Sequence, residues 1–232
     1  MSMTPLELLS IFGPLDAVAL GLLILGAWAM GWRIEHPGAA RPSVTALMAD
    51  YRRDWMREFV ARDVRIFDSQ ILAMLRQGTT FFASSALLAT GAVLALIGNT
   101  DPLTGLAEGV GAQPSDFEFQ IKLGLVVGFL VTSFLRFVWA SRVFGYCAVV
   151  MASAPNDGSG PEGARRAAAA AELNIRAAIN FNRGLRAMYF ALASVSWLLG
   201  PIPLMVATAV TLWVLWGREF ASTPRAVLMS EK

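Results

Sequence analysis

The sequence predicts an all-α protein, a polytopic helical bundle embedded in a membrane, and three observations predict it. The chain of 232 residues is 56% hydrophobic and 16% charged, with a mean hydropathy of +0.54. Soluble domains average roughly 45–50% apolar and about 25% charged. The apolar residues are gathered into blocks, and ~20 such residues cross a ~30 Å hydrocarbon core. The basic residues, 17 Arg and 2 Lys, sit beside those blocks, as a topology signal does.

Composition also excludes several classes. A net charge of +2 does not make a nucleic-acid binder, because phosphate recognition needs a concentrated basic face. One cysteine, Cys147, forbids an internal disulfide, and one histidine, His36, forbids a bis-His haem. No metal site and no cofactor is expected. No P-loop, G-x-S-x-G, H-E-x-x-H or C-x-x-C is present, so no catalytic residue is nominated and the chain reads as a non-enzyme. Abundant Arg and Ala with little Lys hint at a GC-rich bacterial genome, hence a bacterial inner membrane.

Residues 11–32 carry one charge, Asp16, and form the first span. Gly13, Ala17 and Gly21 make a small-residue stripe where a second helix can approach. Trp28, Trp32 and Arg33 mark the far interface. Residues 35–43 turn through Pro37, Gly38 and Pro42.

Helical spacing resumes at Val44 and is expected to run to about Gly78. Tyr51, Trp55, Phe59, Val60, Val64, Phe67, Ile71, Met74 and Leu75 share one face. Ion pairs are expected between Asp50 and Arg53, Asp54 and Arg57, Glu58 and Arg62, and Arg65 and Asp68. Each is worth only ~0.2–0.5 kcal/mol, so the aromatic face decides where the helix lies, against the bundle or on the membrane surface. Balanced acids favour the bundle.

Residues 79–98 are uncharged and form the second span. Ser84, Ser85, Ala89, Gly91, Ala92, Ala95 and Gly98 make it small-sided, which argues for the centre of the bundle. Eight arginines precede it in residues 33–78, whereas residues 99–120 contain no Lys or Arg. Positive-inside asymmetry places the N-terminus outside and residues 33–78 in the cytoplasm.

Residues 121–151 form the third block, with Gly124 and Gly128 in a G-x-x-x-G contact. Arg136 lies ~22 Å along it, where a charge costs ~2.5–3.5 kcal/mol unless it snorkels or is paired. A turn at 154–160 leads to a capping box at Ser159–Glu162 and a cytoplasmic helix to about 183. Residues 184–217 are interrupted by Gly200, Pro201 and Pro203. They read as a hairpin of two spans, 184–200 and 202–217, giving five spans in one membrane domain. A single kinked helix, giving four, is the alternative.

The stretches DSQILAMLRQGTTFFASSALLAT, NFNRGLRAMYFALASVSWLLGP and GREFAS resemble a bacterial and plant family of uncharacterised multi-pass membrane proteins, defined as a domain of unknown function. The resemblance runs from Trp28 to Ser222. Gln70, Leu75, Arg76 and residues 180–186 match the family pattern, while Gly78 and Thr79 depart from the small polar pair expected after Arg76. The resemblance implies the membrane architecture and no activity.

Two sets of residues are candidates for function. A polar cluster near the inner ends of the spans comprises Asp68, Gln70, Arg76, Arg136, Asn180, Asn182, Arg183 and Arg186. Either it locks cytoplasmic helix extensions together, or it binds a lipid headgroup, a nucleotide phosphate or an acidic partner through arginine forks. Asp16 is the in-membrane acid: an interfacial residue, or a proton- or ion-handling carboxylate. The expected role is a non-catalytic accessory, scaffold or assembly protein. Its partners would be the lipid bilayer and other membrane proteins or further copies of itself. A small transporter or channel, or an anionic-lipid-headgroup binder, is the alternative.

Overall fold

The structure is a computed structural model, and it describes residues 12–100, 115–156 and 160–230. Among these described residues seven α-helices follow in order: α1 (Pro14–Glu35), α2 (Val44–Ala61), α3 (Ile66–Gly98), α4 (Asp116–Ala152), α5 (Pro161–Val195), α6 (Pro201–Phe220) and α7 (Thr223–Ser230). A 3₁₀ turn, Ser196–Leu199, joins α5 to α6. No strand occurs among the described residues, so the expected all-α bundle is what the chain forms.

Local chemistry explains where the helices start. Gly13 precedes Pro14 at the first position of α1, and the Asp16 carboxylate accepts from Gly13 N at 3.1 Å. Ser43 caps α2, accepting from Ala46 N at 3.1 Å while donating to the carbonyl of Ile34 at 2.7 Å. Ser115 caps α4 through Glu118 N. Gly160 and Pro161 open α5, because proline loses nothing where the N–H has no helical partner. The expected capping serine, Ser159, lies outside the described residues, as do Asp101 and Glu108.

Side-chain ties at each end fix the helix directions. At one end Trp197 Nε1 donates to Asp16 Oδ1 at 2.7 Å, Lys122 Nζ lies 5.9 Å from the Trp197 ring centroid, and Thr100 donates to Asp116 at 2.6 Å. At the other end Glu35 meets Arg183 and Arg186, and Arg225 Nε donates to the carbonyl of Pro42 at 2.9 Å. Helices α1, α4 and α6 therefore run one way, and α3 and α5 the other.

Among the described residues four stretches are long and apolar enough to cross a membrane: Pro14–Glu35, Ile66–Gly98, Asp116–Ala152 and Pro201–Ser230. Their most apolar windows are only 11–33% buried within the chain. Leu25, Trp28, Leu88, Leu135, Trp213 and many similar side chains stand more than half exposed or at half exposure. Soluble monomers rarely leave so much contiguous apolar surface open. The bundle is that of a membrane protein.

The largest buried cluster lies elsewhere, at the arginine-rich end. Met56, Phe59 and Val60 of α2, Leu72 of α3, Phe144, Cys147 and Met151 of α4, and the alanine tract of α5 pack there. Helix α2 thus lies against the bundle, as its balanced charges led one to expect.

Four features differ from expectation. The helix read over 44–78 breaks at residues 62–65, although neither Gly nor Pro is present. Arg65 fills the break by donating to the carbonyls of Val60 at 3.2 Å, Ala154 at 3.0 Å and Pro155 at 2.7 Å. One guanidinium thus satisfies the ends of two helices. After the break α3 continues without interruption into the apolar block.

Helix α3 is also not central: it packs chiefly on α4, leaving Ser84, Gly91, Ala92, Ala95 and Gly98 exposed. The glycines of the expected contacts are open as well. A Cβ built on Gly21, Gly124 or Gly128 would meet nothing within 4 Å. The close approaches fall at Gly26, 3.0 Å from Leu212, and at Gly184, 2.7 Å from Phe137. Finally, the segments read as 160–183 and 184–200 are one continuous helix, α5.

At Gly200 the chain turns from α5 into α6, and of these two helices α6 belongs to a stretch long and apolar enough to cross a membrane. Gly200 adopts φ 117°, a conformation that suits glycine, and Pro201 starts α6.

Gly184 is where α4 and α5 touch most closely. Phe137 is fully buried and held between Phe82 and Phe181, with ring centroids 5.5 and 5.4 Å away, so it has little room to move. Gly184→Leu is expected to destabilise the bundle by about 1–3 kcal/mol through overpacking, lowering the thermal unfolding midpoint in detergent. Gly91→Ala, on an open face, should leave the midpoint unchanged or slightly raised.

Candidate functional site

The expected polar cluster is divided by the structure into three places. Asp68 is fully buried near the start of α3, where its Oδ1 accepts from Trp55 Nε1 and Arg62, each at 2.6 Å. Its partner is therefore Arg62, not Arg65 and not Arg76 one face-repeat along α3. Oδ2 has no partner among the described residues. Gln70 and Arg76 are exposed and separate from the rest. Arg76 borders a small apolar hollow of about 290 Å³ with Arg65, Leu72 and Met151.

The second place is a polar seam between α2, α5 and α6. Asn182 donates to Thr45 Oγ1 at 3.3 Å, and Thr45 gives both its N–H and its hydroxyl to Glu219 at 3.0 Å. Glu219 was not among the residues singled out, nor was Arg52, which donates to the buried Asn174. Burial pulls the Arg52 guanidinium below its usual value.

The third place gathers Arg136, Asn180, Arg183 and Arg186 around an acid that sequence reasoning passed over, Glu35. Arg183 Nε donates to Glu35 Oε1 at 2.8 Å, and the second nitrogens of Arg183 and Arg186 complete the clamp on both oxygens. Arg186 is 8% exposed. The hydrogen bond that Arg183 donates to Glu35 holds the Arg183 guanidinium above its ordinary value. Gly31, one turn back on α1, leaves room for Arg186, whose Nε would lie 3.8 Å from a Cβ there. Arg136 reaches Asn180 Oδ1 at 3.2 Å, and Asn180 in turn donates to the carbonyl of Arg176. The group bonded to Arg136 is thus a neutral amide.

Glu35, Arg136, Arg183 and Arg186 line the polar end of an open cleft of about 500 Å³ between α1 and α4, floored by α5. Its apolar walls include Ala27, Trp28, Phe129 and Phe190. Asp16 is far from it, at the opposite end of α1. There its two oxygens take the backbone N–H of Gly13 and the Trp197 indole, the geometry of an interfacial capping acid. No group of three or more potential metal ligands occurs among the described residues.

A helical bundle with lipid-exposed flanks, a charged clamp at one boundary and a side cleft defines an integral membrane protein of the polytopic type. The chain belongs to the family described as "Protein of unknown function, DUF599", whose model matches residues 17–224. No curated protein and no solved structure matches it.

Removing Glu35 leaves two guanidiniums without their carboxylate, one of them buried. Glu35→Ala should cost about 3 kcal/mol, the lower end for breaking a buried pair. A double-mutant cycle with Arg186→Met checks the origin of that cost: in denaturant titrations the double variant should be clearly more stable than the sum of the single losses. Additive losses would show that the clamp contributes nothing as a pair.

Proposed function

We propose that this protein is a non-catalytic accessory or scaffold component of a bacterial inner membrane, acting by lateral association within the bilayer. The observation that carries the reading is the open face of α3. Ser84, Gly91, Ala95 and Gly98 form a small-residue surface, and a Cβ on either glycine would meet nothing. In lipid, where apolar burial gives no net drive, helices associate through such surfaces. Glycine in a helix interior costs roughly 1 kcal/mol relative to alanine, so a glycine face without a neighbour in its own chain fits a neighbour in another.

The topology proposed is five crossings, with the N-terminal side of α1 outside and the arginine-rich layer in the cytoplasm. The second half of α5 and the turn after it support it: Arg186 lies level with Glu35 and Trp197 level with Asp16. The Arg- and Ala-rich composition supports a bacterial source. A transport path is less well supported. Asp16 and Arg136, which it would join, sit at opposite ends and are each engaged by a separate neighbour, Trp197 and Asn180.

Cysteine crosslinking in native membranes tests the association. Gly91→Cys should give an adduct with a second copy or another membrane protein, since the native thiol Cys147 is buried. Leu25→Cys, on the lipid-exposed side of α1, should give none. No adduct at Gly91, or equal adducts at both positions, would contradict the proposal.

A further inference from the structure

We propose that the cleft between α1 and α4 binds an anionic phospholipid, with its phosphate at the Arg136–Arg183–Arg186 end and an acyl chain along the apolar walls. Three guanidiniums face one carboxylate, Glu35, at that end. The next acid, Glu219, gives both its oxygens to Thr45. Arg183 and Arg186 share that carboxylate, and Glu219 also acts electrostatically on Arg186, so Arg136 is the one of the three without a carboxylate partner among the described residues, where low-dielectric surroundings make that costly. Arg136 is the most available of the three. One nitrogen reaches a neutral amide, and the planar fork leaves further donors for a phosphate.

The shape of the cleft argues for a lipid rather than a soluble anion. The charged groups gather at one end, while Trp28, Phe129 and Phe190 are among the residues that line the remainder. The surface flanking it on both sides is apolar and exposed, with Leu25 at 66%, Trp32 at 56% and Leu135 at 58%. A molecule entering from the side would come from the bilayer. The charged end also lies where Arg33, Arg41 and Arg218 gather and where Arg41 and Arg218 lie over the aromatic rings of Trp216 and Tyr189. Such arginine–aromatic belts mark headgroup level. This inference does not depend on the association proposed for α3.

The test is thermal unfolding of the purified full chain in detergent micelles with added phosphatidylglycerol, phosphatidylcholine or inorganic phosphate. Phosphatidylglycerol should raise the midpoint by about 5 °C at saturating lipid, with little rise from the other two. Arg136→Gln keeps the Glu35 clamp and should lose at least half of the rise. Thr132→Trp, which fills the cleft from an exposed position on α4 and leaves every charge in place, should lose it too. An equal rise with phosphatidylcholine would overturn the anionic specificity, and a full rise with inorganic phosphate would overturn the lipid. Undiminished rises in both variants would overturn the location.

Discussion

The clamp of Glu35 on Arg183 and Arg186 sets the register of the whole membrane layer. It joins residues 148 and 151 positions apart and fixes the end of α1 against the middle of α5. Once that contact is made, the opposite ends must meet, and the Asp16–Trp197 hydrogen bond is where they do. Between the two ties α1 advances 19 residues, ~28 Å, while α5 advances 11, ~16 Å. The long side chains at both contacts, those of Glu35, Arg183, Arg186 and Trp197, take up the difference. The apolar half of α5 is short because a 3₁₀ turn and Gly200 end it.

Two layers with different sources of cohesion result. In the arginine-rich layer, apolar side chains are buried against one another, alanines of α5 allow α2 and α4 close, and buried polar nodes such as Asp68 with Trp55 and Arg62 pin the corners. In the apolar layer, most of each helix faces outward, and contact is made at a few tight places, Gly184 on Phe137 and Gly26 on Leu212. Burial of apolar area stabilises the first layer as it would a soluble domain. In the second it does not, because lipid is as apolar as leucine, and close packing and hydrogen bonds take over. Ser133 donating to the carbonyl of Gly184 at 2.8 Å, in a fully buried position, is one such bond.

What the sequence made legible follows from this division. Helix starts were readable where a cap or proline stands at the boundary, as at Ser43 and Pro161, and the turn at Gly200 was readable because no other residue suits that backbone so well. The apolar blocks were readable by length. The break at residues 62–65 was not, because its cause is Arg65 reaching carbonyls 89 and 90 residues away. Small-residue stripes misled in a specific way. They show that a neighbour can come close, not which neighbour does, so Gly91 and Gly128 were read as internal contacts and Gly26 and Gly184 were passed over. Of the candidate cluster, Arg136, Asn180, Arg183 and Arg186 do converge, yet Glu35, which holds two of them, sits in an ordinary-looking loop junction. Gln70 and Arg76 matched the family pattern and lie apart from the cleft.

The central claim is that α5 carries the chain back across the bilayer, so that α6 ends on the side opposite the start of α4. Single cysteines at Ser115 and Ala221, both exposed, can be labelled in sealed membrane vesicles with a maleimide that does not cross the bilayer. Five crossings predict that the two positions react from opposite sides, Ser115→Cys from outside and Ala221→Cys only after permeabilisation. Reaction of both from the same side would show that α5 does not cross, and would contradict the account at its root.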